Sequence, residues 1–397
     1  MSTSIAQQAK RMNTLGEYFF SRAHKKISQV ASTGKVIINL GIGSPDLAPS
    51  PLVVEELAKK VADPSMHAYP SYTGLPYFRA EIATWYQREF GVNIDPTNMI
   101  LPFSGSKEGI VFTTLALVNP GDEVLIPNPG FPTYERAAVI AGAIPRMYAL
   151  DRENGYQPHF ETLEKTDLSK VKLMWINYPH NPTGATASRK QLENIVNFAK
   201  KHSILLASDN PYSHISFNET HESSILEIPG ALNLAIELNS LSKTYNMAGW
   251  RIGWVVGNQK LISTIGALYS NIETGVFNPI QYAGIKALQL PQSYITERNE
   301  IYKKRLIIAN DIAQILRCKK NETTATLYVW ARLPQQIHNA EEFCFDLLEK
   351  TGIFITPGTA FGSNGEGYIR ISLCQPEKVL LDAKLTLERY LRKNSFY

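Results

Sequence analysis

The sequence predicts an α/β fold in which helices wrap a mostly parallel sheet, with a smaller α+β domain in the last third of the chain. Short apolar runs alternate with amphipathic segments between residues 106 and 256, as is typical of buried parallel strands joined by helices. Beyond residue 290 the pattern changes to long amphipathic segments and alternating strands. A chain of 397 residues is long enough for roughly two domains.

Helical and strand signals alternate through the middle of the chain. Predicted helices cover residues 106–118, 132–142 with a proline at the first position, and 188–202, where Ser188 and Gln191 form a capping box. The predicted buried strands cover residues 123–126, 171–177, 204–208, 233–238 and 252–256. This alternation is that of a mostly parallel sheet covered by helices.

The C-terminal third predicts a smaller domain. A long helix with a polar face is expected over residues 291–318, and a closing amphipathic helix over 376–391. Residues 326–332 and 368–373 alternate like half-exposed strands. An N-terminal helix over residues 15–30 is expected to pack with this domain. The predicted division is a large domain over 46–290 and a small domain formed by 1–45 and 291–397.

Composition excludes several classes of protein. The net charge of +4 is small and its charges are interspersed, so neither a nucleic-acid nor a membrane-binding patch is expected. The polar N-terminus lacks a secretory signal, and no apolar run is long enough to span a bilayer. Cys318, Cys344 and Cys374 are widely spaced, which argues against disulfides and against a metal site. A cytoplasmic enzyme is the expectation.

The strongest local signal is the run Ser240-Leu241-Ser242-Lys243, with Arg251 shortly after it. A lysine between a strand end and a glycine-containing turn can form an imine with a carbonyl cofactor. The two serines and the arginine can donate hydrogen bonds to a phosphate. If this run is taken alone, a solvated lysine in a loop explains it about as well as a cofactor-binding lysine does.

Two further motifs follow predicted strands. Asn181 lies in YPHNPTG after the apolar run VKLMWIN, where its amide can donate to a phenolate oxygen. Asp209 and Tyr212 lie in SDNPY; a buried carboxylate beside a pyridine nitrogen keeps that nitrogen protonated, and the tyrosine can bond the ring oxygen. Each motif also occurs as an ordinary turn or helix cap.

A fourth motif, GSKEG at residues 105–109, opens a predicted helix. Small residues at a helix N-terminus expose backbone N–H groups and the positive end of the macrodipole to an anion. Ser106 and Lys107 are the candidate anion-binding residues. An ordinary capped helix is the alternative interpretation.

The order and spacing of the four motifs make them specific together. Asn181 precedes Asp209 by 28 residues, and Asp209 precedes Lys243 by 34. The set closely resembles the class I/II aminotransferases of pyridoxal 5′-phosphate (PLP) fold type I, over nearly the whole chain. INLGIGSPD, YPSYTGLPYFRAEIA, PNPGFPTYERAAVIAGA and GYIRISL belong to the match. The resemblance implies a large domain with a mostly parallel seven-stranded sheet, and PLP as the cofactor.

The resemblance also implies the residue roles. Lys243 is the expected imine lysine and proton shuttle, Asp209 the partner of the ring nitrogen, and Asn181 and Tyr212 the partners of the 3′ oxygen. Phe131 is expected to stack on the ring, although it is also explained as a core residue. The expected phosphate ligands are Ser106, Lys107 through its backbone N–H, Ser240, Ser242 and Arg251, together with Tyr69 from a neighbouring subunit.

Substrate binding follows from the same resemblance. Arg370 in YIRISL is expected to hold the substrate α-carboxylate, with Gly43 and Asn181 beside it. An exposed strand arginine and a packing tyrosine are the ordinary alternatives for Arg370 and Tyr69. The implied assembly is a homodimer with shared active sites, because the expected role of Tyr69 requires a second chain.

The implied reaction is ping-pong transfer of an amino group from an L-amino acid to a 2-oxo acid. The stretch 269–277 contains no arginine for a distal carboxylate, so aspartate, alanine and LL-diaminopimelate stay open as substrates. Glutamate and 2-oxoglutarate are the expected partner pair. A PLP-dependent lyase or decarboxylase is the alternative on this fold. A regulator-like PLP binder is disfavoured, because the chain before Asn39 is too short for a DNA-binding domain.

Overall fold

A computed structural model describes residues 8–218 and 223–392. The helices are α1 Lys10–Leu15, α2 Phe19–Ala31, α3 Pro51–Val61, α4 Pro76–Phe90, α5 Ser106–Leu117, α6 Thr133–Ile140, α7 Phe160–Leu163, α8 Arg189–Lys201, α9 Leu241–Thr244, α10 Gln259–Ser270, α11 Asn278–Leu288, α12 Gln292–Ile315, α13 Ala340–Thr351 and α14 Glu377–Leu391. The strands are β1 Ile38–Asn39, β2 Ile100–Phe103, β3 Glu123–Asn128, β4 Ile144–Ala149, β5 Val171–Ile176, β6 Leu205–Asp209, β7 Ala235–Ser240, β8 Gly253–Gly257, β9 Lys319–Lys320, β10 Tyr328–Arg332, β11 Ile353–Phe354, β12 Thr356–Pro357 and β13 Tyr368–Ser372.

A seven-stranded sheet forms the centre of the larger part, in the order β2-β8-β7-β6-β5-β3-β4. Strand β8 runs antiparallel to both of its neighbours, and the remaining pairs are parallel. The predicted mostly parallel sheet is therefore confirmed. Its parallel strands β5, β6 and β7 end at one edge, where open α/β sheets bind their ligands.

Helices cover both faces of this sheet. Ile110 of α5, Ala137 of α6 and Ile265 of α10 belong to the apolar core on one face. Ile82 of α4 and Ile195 of α8 belong to the core on the other. The capping box at the start of α8 is present as predicted: the Ser188 hydroxyl accepts from the Gln191 N–H, and the Gln191 side chain accepts from the Ser188 N–H.

A four-stranded sheet in the order β12-β13-β10-β9 lies in the C-terminal third. The expectation that residues 326–332 and 368–373 are half exposed is wrong, because all but the end residues of β10 and β13 are buried. Both faces of the sheet are covered. Val329 and Ile371 pack in the core shared with α12 and α14, whereas Trp330 joins the core of the large sheet.

The N-terminal helix differs from the prediction. Residues 15–30 form parts of two helices, α1 and α2, that separate at Gly16, whose φ of +58° and ψ of −171° suit glycine. Ala23 and Val30 of α2 pack with Leu348 of α13 and with Phe354, so the expected packing against the C-terminal third is confirmed. Strand β1 likewise pairs with β11. These contacts agree with a division near residues 45 and 290, which stays a prediction.

Within residues 8–218 and 223–392, no helix combines the length and the apolarity needed to cross a bilayer.

Candidate active site

A cavity of about 280 Å³ opens at the carboxyl ends of β5, β6 and β7. Residues of the large sheet line one side of it, and residues of β10 and β13 line the other. Twelve of the thirteen predicted site residues line this cavity, namely Gly43, Ser106, Lys107, Phe131, Asn181, Asp209, Tyr212, Ser240, Ser242, Lys243, Arg251 and Arg370.

Lys243 reaches the cavity from α9, a single helical turn that directly follows β7. Ser240 caps this turn by accepting a hydrogen bond of 3.1 Å from the Ser242 N–H, and the two hydroxyl oxygens lie 2.8 Å apart. The Lys243 ammonium donates to the Gly43 carbonyl. The strand end and its cap therefore fix the amine in the cavity, next to two hydroxyl groups.

Asp209 is the last residue of β6, and its two carboxylate oxygens differ in their surroundings. Oδ2 accepts a hydrogen bond of 2.7 Å from the Tyr134 hydroxyl, whereas Oδ1 is buried and has no hydrogen-bond partner among residues 8–218 and 223–392. Burial raises the pKa of Asp209 to about 6, although the Tyr134 bond opposes this rise. An unpartnered carboxylate oxygen in a cavity fits a ligand that brings its own N–H, such as a protonated pyridine nitrogen.

Arg370 on β13 is buried, with 3% of its surface exposed. It donates to the Asn181 Oδ1 at 2.9 Å and to the Gly41 carbonyl at 2.7 Å, and it lies over the Tyr328 and Phe361 rings. These hydrogen-bond partners are neutral, and the buried Nε has no partner among the residues that the structure describes. Such a guanidinium in a cavity is suited to bind a carboxylate in a bidentate fork.

The start of α5 forms a cradle with Arg251. Gly105 caps the helix at a φ of +95°, and a Cβ there would lie 2.3 Å from the Arg251 Nη2. The guanidinium donates to the Ser104 carbonyl at 3.1 Å and to the Ala248 carbonyl at 3.0 Å. Ser106 and Lys107 supply backbone N–H groups at the helix N-terminus. The arrangement fits a phosphate.

Tyr212 and Gly43 both lie next to Tyr328, a residue that no sequence motif indicated. The Tyr212 hydroxyl lies 3.0 Å from the Tyr328 hydroxyl, and a Cβ at Gly43 would lie 2.0 Å from the same Tyr328 oxygen. Burial raises the pKa of Tyr212, with Tyr328 adding to the effect. The Tyr212 hydroxyl therefore remains protonated at neutral pH and can donate to an oxygen of a ligand.

Several other residues of the site were missed by the sequence analysis. Tyr134, which holds Asp209, lies three residues after Phe131 in the PGFPTY motif, so its position was a usable signal. Asn177 ends the run VKLMWIN, and its amide donates to the Asp209 carbonyl at 2.6 Å. Four further lining residues lie on distant segments without a local signal, namely Tyr18, Phe20, Tyr328 and Phe361.

Lys107 also contributes its side chain, whereas only its backbone was predicted to act. Its ammonium lies 4.7 Å from the centre of the Tyr18 ring, and Arg136 lies over the same ring at 5.0 Å. Burial lowers the pKa of Lys107, and the nearby Arg136 and Arg251 lower it further. The cavity therefore has a cationic group beside Tyr18 as well as Arg370.

Tyr69 is the predicted site residue that does not line the cavity. It lies between the short helical turn Pro64–His67 and α4, with 88% of its surface exposed. Its loop touches the stretch 269–277, since a Cβ at Gly275 would lie 2.5 Å from the Ser71 carbonyl oxygen. The role of Tyr69 therefore stays a prediction.

A family profile and several characterised proteins match this chain over most of its length. The profile of the family described as aminotransferase class I and II matches residues 35–383. An LL-diaminopimelate aminotransferase of Desulforudis audaxviator is 40% identical over 389 residues, covering 98% of this chain and 99% of that protein. One of Aquifex aeolicus is 40% identical over 374 residues, covering 94% and 96%.

Solved structures agree with these likenesses. Substrate-bound BacF from Bacillus subtilis has a TM-score of 0.92 at 36% identity, covering 99% of this chain and 100% of that one. A mutant aspartate aminotransferase of Thermus thermophilus has a TM-score of 0.90 at 24% identity, covering 98% and 100%, and it bears on the fold alone.

Proposed function

The chain belongs to the class I and II aminotransferases, and from this premise we propose that Lys243 carries its PLP while amino groups are transferred. The predicted family, fold and aminotransferase activity are confirmed. The family implies PLP as the cofactor, with amino acids and 2-oxo acids as substrates. The observation that carries the proposal is the meeting of the Lys243 amine, the unpartnered Asp209 oxygen and the Arg370 guanidinium in one cavity.

The proposed roles follow from the chemistry of these groups. Bound PLP supplies a protonated ring that stabilises the negative charge left when a substrate loses its α-proton. Asp209 keeps the ring nitrogen protonated, and Tyr134 orients Asp209. The Lys243 amine would remove the proton from the substrate α-carbon and hold it for return. Arg370, held by Asn181, binds the α-carboxylate and places the α-carbon within reach of Lys243.

The remaining predicted residues are proposed to hold the cofactor. Asn181 and Tyr212 donate to the 3′ oxygen, and Phe131 stacks on the ring. Gly43 leaves room for Tyr328 and presents its carbonyl to Lys243. The proposed phosphate ligands are Ser106, Lys107, Ser240, Ser242 and Arg251, completed by Tyr69 of a second chain.

We propose LL-diaminopimelate as the amino donor, with glutamate and 2-oxoglutarate as the partner pair. The names of relatives at 40% identity support this choice over aspartate and alanine. Lys107, whose ammonium lines the cavity and makes no ion pair within the described part of the chain, favours a substrate with two carboxylates over alanine, and it does not separate LL-diaminopimelate from aspartate. A substrate with a second carboxylate gives this cation a partner.

A half-reaction screen of amino acids against the PLP-loaded enzyme tests the proposal. LL-diaminopimelate and glutamate are expected to convert the cofactor stoichiometrically to pyridoxamine phosphate, faster than aspartate or alanine do, and Lys243→Ala is the inactive control. Release of carbon dioxide or of an eliminated fragment, without pyridoxamine phosphate, would instead indicate a decarboxylase or a lyase. Preferred conversion of a monocarboxylic amino acid would overturn the assigned substrate.

We also propose that the active unit is a homodimer in the cytoplasm. Tyr69 is exposed beside further exposed apolar side chains, among them Tyr72 and Ile272, and its loop touches the loop of Gly275. Exposed apolar groups of this kind suit a subunit interface. The three free thiols, at Cys318, Cys344 and Cys374, are in keeping with a reducing compartment.

A further inference from the structure

Arg298 on α12 is a buried cation without a counter-ion in the described part of the chain. Only 3% of its surface is exposed, and burial lowers its pKa to about 10. Its guanidinium donates to the carbonyl oxygens of Thr244 and His214, and to the Asn299 Oδ1 at 2.7 Å. All of these acceptors are neutral. Because a buried charge is costly to desolvate, a buried guanidinium that binds only neutral acceptors requires an explanation.

The two carbonyl groups belong to the segments that carry the cofactor residues. Thr244 follows Lys243 directly and ends the single helical turn α9. His214 lies two residues after Tyr212, and its carbonyl also accepts a hydrogen bond of 3.1 Å from the Asn299 side chain. One planar guanidinium therefore ties the turn that holds Lys243 to the turn that holds Tyr212. A lysine ammonium, as a point charge, does not have this fork geometry.

The same helix also contacts the side of the cavity that carries Arg370. Ile308 and Ile312, in the second half of α12, pack in the core that includes β10 and β13. Arg305 of α12 donates to the Leu373 carbonyl at 3.1 Å, directly after β13. A helix of 24 residues thus links the turn that bears Lys243 with the strands that bear Tyr328 and Arg370.

We propose that Arg298 is a positioning residue, which fixes Lys243 relative to Tyr212 and to the strands that bind the substrate. It acts through backbone carbonyl groups and touches neither substrate nor cofactor. The inference rests on the proposed roles of Lys243 and Tyr212. Proton transfer depends steeply on distance and orientation, so a small displacement of the lysine turn affects turnover more than substrate binding.

The test compares Arg298→Met with Arg298→Lys in the PLP-loaded enzyme. Arg298→Met is expected to lower kcat by about a hundredfold, the order seen for ångström-scale misplacement of reacting groups, with little change in KM. The visible circular dichroism of the bound cofactor, which reports its orientation without turnover, is expected to weaken. Arg298→Lys is expected to retain part of the kcat and part of the circular dichroism that Arg298→Met loses, because the lysine keeps the charge and reaches one carbonyl.

Arg79→Met is the matched control. The Arg79 guanidinium, like that of Arg298, donates to two backbone carbonyls, at 2.6 Å to Pro96 and 2.8 Å to Thr97, and it lies on α4 outside the cavity. This variant is expected to lower the melting temperature while it leaves kcat and the circular dichroism near those of the parent. An equal loss of kcat and circular dichroism in Arg79→Met would overturn the proposal.

The proposal can still be tested if Arg298→Met fails to fold. If Arg298→Met does not fold, Arg298→Lys with kcat and circular dichroism equal to the parent contradicts the positioning role, and a selective loss of both supports it. The parent enzyme separates this inference from the proposed function. A parent that loads PLP on Lys243 and forms pyridoxamine phosphate upholds the proposed function whatever the Arg298 variants do, whereas a parent that does neither refutes both.

Discussion

At the scale of single residues, the site keeps polar groups that the fold itself does not satisfy. Within the described part of the chain, Asp209 has one buried oxygen without a partner, and Arg370 has neutral partners and an unpaired Nε. Unsatisfied buried groups cost stability, and they are retained where a ligand completes them. Two consequences can be measured separately, one on stability and one on substrate binding.

Asp209→Asn is expected to stabilise the cofactor-free protein at neutral pH. Because burial raises the pKa of Asp209 from 3.8 to about 6, the folded state holds this proton more tightly than the unfolded state does. The cost of the charge is therefore absent below pH 3.8, grows as pH rises, and is complete above about pH 6. Urea unfolding should give a gain of up to about 3 kcal/mol at pH 7.5 and little at pH 4.

The same variant should lose transamination, since an amide is a poor partner for a protonated ring nitrogen. An equal change in the free energy of unfolding at both pH values would mean that the charge of Asp209 is not the cause. Near-normal turnover would mean that Asp209 has only a structural role, in the turn that follows β6.

Arg370→Lys is expected to raise KM for every amino acid, because the charge remains and the bidentate fork is lost. A lost charge-assisted hydrogen bond of about 2 kcal/mol corresponds to roughly a thirtyfold fall in kcat/KM. Arg332→Lys, at the exposed end of the neighbouring strand β10, is the control and should behave like the parent. Unchanged kinetic constants in Arg370→Lys would contradict the carboxylate role.

At the scale of elements, the strand ends and helix starts place the site. Asp209 ends β6, and Asn181 and Lys243 follow β5 and β7. Ser106 opens α5. The backbone conformation at that helix start is part of the site, because Gly105 adopts a φ of +95° against the Arg251 guanidinium. A side chain at this position would have to displace the arginine.

Gly105→Ala is therefore expected to weaken PLP binding more than it weakens the fold. Gly121→Ala is the matched control, because Gly121 has a φ of +88° and nothing within 4 Å of a Cβ. Both variants should lose about 1 kcal/mol of stability from the strained φ. Titration of the cofactor-free proteins with PLP should show a raised Kd for Gly105→Ala alone. Equal Kd values for the two variants would contradict phosphate binding by Arg251 and the start of α5.

The elements also show how far the sequence alone can be interpreted. The central buried strands were predictable to within about two residues, since their apolar runs have no helical period. Strand β4 was not predicted, because it lies at the sheet edge with Ile144 and Met147 exposed and so has no buried run. The interruption at Gly16 was missed because apolar residues continue on both sides of it.

Site residues were predictable where a motif places several of them close together in sequence. Asp209 and Tyr212 lie in one such motif, and Lys243 with its two serines in another. Tyr328 and Phe361 reach the cavity from the C-terminal third, and tertiary packing alone brings them there. Lys107 was assigned only a backbone role, because its side-chain direction depends on Tyr18, which lies far away in sequence.

At the scale of the whole molecule, the cavity of one chain lacks Tyr69, which the family resemblance assigns to the phosphate. Subunit mixing tests the proposed dimer. Tyr69→Phe should be impaired through weaker phosphate anchoring, and Lys243→Ala should be inactive. A heterodimer of the two places both lesions in one site and leaves the other intact, so the mixture should exceed either parent in activity. Mixed dimers without recovery, or an active monomer, would exclude the shared site.

The most direct test of the central claim is to locate the cofactor on the chain. Borohydride reduction of the PLP-loaded enzyme, followed by peptide mapping, should place the pyridoxyl group on Lys243, since its amine lies between the Ser240–Ser242 cap and the Gly43 carbonyl in the cavity. Lys243→Ala should bind PLP without forming the reducible bond. A pyridoxyl group on Lys107 or on any other lysine would contradict the account.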